Sequence, residues 1–322
     1  MSLISIAKAY RTSPTNALQV ISNILPLDLK VIKLYWKYQL LGQRANSIQT
    51  PIVHASMEEL IKDIQNYGLD AQQKANIVHP AEPNPEITEA PAINDKTYNV
   101  FTDGSKSVEG VGCALVVNNT SGKSIYQAGF KLGMQCSNNQ AESLAILKAL
   151  QYIRDKPMFR NKTIRINSDS KTALAQIRKL RTKLTIVQET INLLMLLRGK
   201  GIKILLNWVK GHSGITGNER ADLLAKKAAK ADIPISLNTL PSSLVKSQLD
   251  NIMTQLWQQR WEADKNRQTC LQIFSKYPGQ EAHVFLPSKL HYHPNRYRAR
   301  ELQGIPETFP EQREWEMPLC PS

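Results

Sequence analysis

Four acidic residues and one histidine occupy positions where the local pattern starts or stops an element. Asp103 lies in Phe101-Thr102-Asp103-Gly104-Ser105, at the end of an apolar strand. Residues two apart share a strand face, so Asp103 stands on the side of Asn99 and Phe101, and its carboxylate emerges at a sheet edge. Glu142 follows a capping box, Ser137 at the N-cap and Gln140 at N3. It then falls in line with Ile146, Ala149, Leu150 and Ile153, an unusual place for an acid on an amphipathic helix. Asp169 closes Ile166-Asn167-Ser168-Asp169-Ser170, at the carboxyl end of a strand, where open sheets hold ligands. Capping of the next helix by Asp169 or Ser170 fits those residues equally well. Asp222 sits beside Ala221 and Ala225 on a small-residue helix face, and Thr216 with Glu219 reads as a capping box that starts this helix. His212 is in a Gly-flanked loop, Lys210-Gly211-His212-Ser213-Gly214.

Carboxylates brought together from such ends repel and raise one another's pKa. Hard divalent cations remove that conflict: Mg²⁺ takes a few carboxylates, keeps waters and completes its shell with phosphate oxygens. A pair of such ions about 4 Å apart can activate water and stabilise the leaving oxygen of a phosphodiester. The overall charge agrees with a polyanionic partner. Forty-one Lys and Arg against 27 Asp and Glu give +14, with a pI near 9.6.

The elements that must position these groups run from Tyr98 to Ala231. Tyr98–Thr102, Val111–Val117 and Ser124–Leu132 read as strands joined by short turns, hence antiparallel. In the third, Tyr126, Ala128, Phe130 and Leu132 take one face and Gln127 and Lys131 the other. A helix follows over 138–153, then strand 163–168, a helical stretch 171–180, helix 186–199, strand 202–208 and helix 217–230. Strand–helix–strand alternation adds parallel strands, so the expected fold is α/β with a mixed sheet.

In this order the motifs Thr102-Asp103-Gly104-Ser105, Asn138-Asn139-Gln140-Ala141-Glu142, Ser168-Asp169-Ser170, Gly211-His212-Ser213-Gly214 and Asn218-Glu219-Arg220-Ala221-Asp222 resemble the type-1 ribonuclease H domain. The resemblance covers residues 97–231. It implies a five-stranded mixed sheet flanked by helices, and endonucleolytic hydrolysis of the RNA strand of RNA–DNA hybrids. It further implies that Asp103, Glu142, Asp169 and Asp222 hold two Mg²⁺ ions, with Mn²⁺ as a substitute, and that His212 assists proton transfer or product release. Asn138 and Asn139 match positions that contact the hybrid in its minor groove, where the 2′-hydroxyl marks RNA; Ser105 and Ser170 are auxiliary contacts. No long basic protrusion of the family is present, but Arg178, Lys179, Arg181 and Lys183 cluster near its place.

The flanks have their own character. Residues 1–78 read as helical: Leu27, Val31, Leu34, Tyr38 and Leu41 recur at helical spacing between Lys30, Lys33 and Lys37, and a short helix is expected over 56–66. Residues 79–96, with Pro80, Pro83, Pro85 and Pro91, read as a linker. Residues 232–322 comprise a helix over 243–264, striped by Val245, Leu249, Ile252, Met253, Leu256 and Trp257, and a Pro-studded, poorly ordered tail. The stretch Ala9-Tyr10-Arg11-Thr12-Ser13 through Leu27-Asp28 resembles the end of the reverse transcriptase region of insect-type non-LTR retrotransposon polyproteins. Trp257 to Trp261 is similar to the segment after the ribonuclease H domain of the same elements. No Tyr-X-Asp-Asp polymerase motif is present. Cys113, Cys136, Cys270 and Cys320 are too scattered for a disulfide framework, and Cys270 with His283, His291 and His293 lacks zinc-knuckle spacing. With no apolar leader or bilayer-length run, the expectation is an intracellular monomer in nucleus or cytoplasm that binds nucleic acid and no membrane. The competing expectation is a catalytically impaired nucleic-acid-binding remnant of a retrotransposon polyprotein.

Overall fold

A computed structural model describes residues 3–7, 9, 11–42, 55–77, 87–88, 97–179 and 181–263, all within the compact unit Met1–Pro278. The C-terminal tail, the Cys270–His293 cluster and most of the Pro-rich connector lie outside the described residues. In chain order the elements are α1 (Leu3–Ala7), α2 (Thr15–Ile21), α3 (Leu27–Gly42), α4 (Ala55–Tyr67), β1 (Ala71–Ile77), β2 (Ile87–Thr88), β3 (Tyr98–Ser107), β4 (Gly110–Asn118), β5 (Ser124–Leu132), α5 (Asn138–Asp155), β6 (Thr163–Ser168), α6 (Lys171–Ile177), β7 (Arg181–Leu184), α7 (Thr185–Gly199), β8 (Lys203–Trp208), α8 (Thr216–Lys230), β9 (Ile235–Leu237) and α9 (Ser242–Ala263).

The main sheet runs β2-β8-β6-β3-β4-β5-β9. Its middle is the expected mixed sheet: β3, β4 and β5 form an antiparallel meander, β6 runs parallel to β3, and β8 parallel to β6. The difference from five strands is at the edges, where β2 from the connector pairs with β8 and β9 pairs with β5. Edge strands present unpaired peptide groups, and these short segments satisfy some of them. Two or three residues are too few to show a strand period, so neither was legible beforehand.

Period-2 alternation sorts the sheet into two faces. Val111, Cys113, Leu115 and Val117 of β4 join Ile164, Ile166 and Leu206 in the main core under α5, α6 and α7. On the opposite face, Phe101 and Val116 meet Ala221 of α8. Residues of β5 divide as expected: Tyr126 stacks on Tyr152 of α5, while Gln127 accepts from Arg220 of α8. Helix α8 lies on bare backbone: a Cβ at Gly112 would be 2.4 Å from Ala229 N. Its alanine face and the glycines of β4 therefore set the helix–sheet distance.

The flanking segments, distinct in composition, share a core. Trp36 and Leu40 of α3, Met57, Leu60 and Ile64 of α4, and Val245, Leu249 and Met253 of α9 form one cluster. The buried stripe of α9 matches its sequence period, and that of α3 does not. Leu27, Val31, Leu34 and Tyr38 are 74%, 57%, 56% and 61% exposed, whereas Leu29, Trp36 and Leu40 are buried. Helix α3 carries apolar residues on two faces, and α9 selects the one that holds the large indole. Lys33 pairs with Asp250 and Asp28 with Arg260 at the margins of this contact.

Two links join the helical body to the α/β part. β1 pairs antiparallel with β7, so the helix expected over 171–180 stops at Ile177 and the chain becomes extended. Asp70 O accepts from Thr185 N at the start of α7 (3.0 Å), while the Asp70 carboxylate accepts from Ser242 N (3.0 Å) and Ser242 Oγ (2.6 Å) at the start of α9.

Candidate active site

Each acid arrives as a consequence of local structure. Asp103 lies within β3, opposite Ala114 of β4, and not at the strand's end as expected, because β3 runs on to Ser107 while its pairing with β6 stops at Thr102. The Ser137–Gln140 capping box forms as expected: Ser137 N donates to Gln140 Oε1 (2.7 Å) and Gln140 N to Ser137 Oγ (3.2 Å). This box sets the start of α5, and Glu142 one turn on is buried beside the sheet. Asp169 follows the last residue of β6, and Ser170 is the N-cap of α6, accepting from Ala173 N at 3.2 Å. Asp222 is on α8, which begins differently from expectation. Ile215 occupies the N-cap and no side chain caps it, so Thr216 is already helical and the Thr216–Glu219 box does not form.

Carboxylate oxygens of Asp103, Glu142 and Asp169 lie within 4.8 Å of one another. Asp103 and Glu142 are each 5% exposed. A cleft of about 250 Å³ opens over them, lined also by Asn138, His212, Asn218, Asp222 and Lys226. Asn139 is exposed at the first turn of α5, and Ser105 is half-buried two residues beyond Asp103; neither lines the cleft.

Burial, with Asp169 and Asp222 nearby, pushes Asp103 up to about 7. Glu142 is pushed up to about 9 by burial and by Asp103 and Asp169. Asp169 is also raised by burial, against a hydrogen bond from Asn218 and the nearby His212. Asp222 differs: its Oδ2 is 2.7 Å from Lys226 Nζ, one turn along α8. The three-acid centre is therefore short of positive charge, and the buried Glu142 Oε2 has no hydrogen-bond partner. Hard oxygen donors in excess, one left unsatisfied, fit a divalent cation such as Mg²⁺ or Mn²⁺.

The spacing of acids does not reveal several supporting residues. Trp208 Nε1 donates to Asp169 O (3.0 Å), and Lys171 Nζ lies 3.9 Å from the centroid of the Trp208 ring. Asn218 is buried beside Asp169. Lys226 was detectable as the i+4 partner of Asp222; Trp208 gave no local signal, because its contact is made across the sheet. Gly104 lets α5 approach: a Cβ there would lie 2.6 Å from Glu142 N and 2.9 Å from Ala141 C, both backbone. Gly104→Ala is expected to push Glu142 away from Asp103, costing about 1–3 kcal/mol of stability. A displacement on the order of 1 Å lowers turnover roughly 100-fold, and melting curves with turnover rates of the same preparations test both effects.

The acidic cleft lies within residues 95–230, which match the RNase H family. A curated relative is Ribonuclease H of Blochmanniella pennsylvanica (strain BPEN), 28% identical over 152 residues that make up 43% of this chain and 95% of the relative. Solved structures similar to this segment include LC11-RNase H1, isolated from compost by a metagenomic approach, at 17% identity and TM-score 0.35, covering 42% of this chain and 96% of that one. RNase H1 of the halophilic archaeon Halobacterium salinarum NRC-1 matches at 23% identity and TM-score 0.34, covering 41% of this chain and 96% of its own. Among the described residues, no helix is long and apolar enough to cross a membrane.

Proposed function

We propose that this protein is a metal-dependent ribonuclease H that hydrolyses the RNA strand of RNA–DNA hybrids. The observation that carries the reading is the convergence of Asp103, Glu142 and Asp169 within 4.8 Å in a cleft that also holds Asp222 and His212. The RNase H match over residues 95–230 supports the same chemistry. Asp103, Glu142, Asp169 and Asp222 would hold the cations. When bound, Mg²⁺ supplies activation of a water and stabilisation of the leaving 3′-oxygen.

The protein's own groups prepare that site. Glu142 and Asp103 give up their protons as the site fills, so binding strengthens with pH. Lys226 pairs with Asp222 and would yield it to a cation. Asn218 and the Trp208 indole orient Asp169, one through its side chain and one through its backbone. His212 stands at the cleft wall with a positive φ of 53° and would take or return a proton at the scissile phosphate. Asn138, which lines the cleft, and its neighbour Asn139 would meet the minor groove, and the exposed Arg178, Lys179 and Lys183 would contact phosphates. Ser105 and Ser170 are left with auxiliary contacts, Ser170 already serving as a cap.

The reading extends to origin: residues 1–78 as the end of a reverse transcriptase region, 79–96 as a linker and 97–231 as the hydrolytic domain of a retrotransposon-derived monomer, acting inside the cell. It rests on the resemblance of the flanks. The test is cleavage of end-labelled RNA–DNA hybrid in Mg²⁺, beside duplex RNA and duplex DNA. Cutting confined to the RNA of the hybrid is the expected result. Tight, salt-sensitive hybrid binding without cutting would leave a nucleic-acid-binding remnant in its place.

A further inference from the structure

The parallel strands β6 and β8 begin at the end of the sheet opposite the acids. Helix α5 carries Glu142 near its start and Asp155 at its finish, roughly 20 Å apart at the helical rise per residue. At that far end lies a recess of about 360 Å³, lined by Arg154, Asp155, Lys156, Arg160, Lys200 and the buried Ile202. Four cations surround one acid. Asp155 is already engaged, receiving Arg154 Nε at 2.7 Å and the same guanidinium's second nitrogen at 3.2 Å. Lys162 and Lys203 extend the patch where their backbones meet, Lys203 N–H donating to Lys162 O at 3.0 Å. All six cationic side chains are exposed.

Two connections, α5 to β6 and α7 to β8, bring this charge to one place, and like charges so gathered repel unless an anion lies between them. Their spread across two connections suits a row of phosphates better than a single ion. A duplex presents one charge per strand about every 3.4 Å. An aromatic surface adjoins the recess. Tyr126 and Tyr152 stack with centroids 4.0 Å apart, Lys156 Nζ lies 5.6 Å from the Tyr152 centroid, and Tyr126 keeps 37% of its surface exposed. Cations beside an exposed aromatic face match a single nucleic-acid strand, whose bases stack while its phosphates are neutralised. A lipid headgroup uses the charge and leaves the tyrosine without a role.

We propose that the end of the sheet remote from the acidic cleft is a second nucleic-acid surface, which holds a single strand through Arg154, Lys156, Arg160 and Lys200 with Tyr126 as its stacking platform. Such a surface would retain an unpaired strand while a hybrid occupies the cleft. The proposal is separate from the hydrolytic reading, because its test is run without metal.

The full chain is titrated in EDTA into labelled single-stranded DNA of mixed sequence, at several salt concentrations, by fluorescence anisotropy. Replacing Lys156, Arg160 and Lys200 together by Gln is expected to weaken binding on the order of 100-fold near 0.1 M salt and lower the salt slope by about 2. Tyr126→Ala is expected to weaken it roughly tenfold. A charge-conserving triple variant, Lys156→Arg, Arg160→Lys and Lys200→Arg, should bind like the parent and separates lost charge from lost shape. Parental affinity and slope in the Gln variant overturn the proposal. So do loss in the charge-conserving variant, or binding to phosphatidylserine vesicles with none to DNA.

Discussion

Asp103→Asn is expected to abolish hybrid cleavage while making the metal-free protein more stable. Asp103 is the charged neighbour that raises Glu142 most, and it is itself raised by burial and by Asp169 and Asp222. Removing its charge leaves the shape almost unchanged and, on the proposed function, takes away a carboxylate that would hold the cations. Turnover should fall at least on the order of 1,000-fold, since no neighbouring group can replace a carboxylate in neutralising the cations. Relief of repulsion acts the other way on folding, so in EDTA the melting temperature should rise. A merely structural Asp103 predicts the reverse, reduced stability with activity lost in proportion. Hybrid cleavage within about tenfold of the parent would exclude Asp103 from the reaction.

The second large effect is on stability against pH without divalent cations. Asp103 is raised from its ordinary 3.8 to about 7, and Glu142 from 4.5 to about 9. A carboxyl whose folded pKa lies above its unfolded value keeps a proton in the folded state that the unfolded chain has released. Its stabilising contribution is complete below the unfolded value and is lost as pH rises through the folded one. The metal-free protein should therefore lose stability steadily from about pH 4 to pH 9. For Asp103 alone the difference is on the order of 4 kcal/mol, or a melting shift of roughly 10 °C. Saturating Mg²⁺ should flatten the dependence, because a cation stabilises the ionised carboxylates, and should release protons into weak buffer as it binds. Melting curves at several pH values in EDTA and in Mg²⁺ make the comparison. A metal-free protein more stable at pH 9 than at pH 5 would mean that these acids do not share a buried site.

Much of the catalytic end was legible because its signals are local. Apolar alternation placed β3 to β6, the Ser137–Gln140 box placed α5, and an acid in the apolar stripe of a helix marked Glu142 as buried. The i+4 spacing of Asp222 and Lys226 already encoded their ion pair. Where two local patterns were equally good, reading along the chain chose wrongly or not at all. Thr216 and Glu219 have capping-box spacing, yet α8 already includes Thr216, with Ile215 at the N-cap and no side chain capping it. On α3, the periodic Leu27, Val31, Leu34 and Tyr38 face outward, and the core takes Leu29, Trp36 and Leu40.

Local pattern along the chain fixed the order of strands and helices and put Glu142 near the start of α5 and Asp169 just after β6, while Asp103 falls inside β3, because period and capping act within a few residues. Only the tertiary structure decided that three acids meet within 4.8 Å, that Trp208 anchors Asp169, that α3 and α9 share a core, and that the cations of two separate connections converge at the far end of the sheet. Those contacts join residues distant in the chain. They depend on which strand edges pair and which apolar faces are buried together, choices made by the summed packing of the whole fold and carried by no single segment.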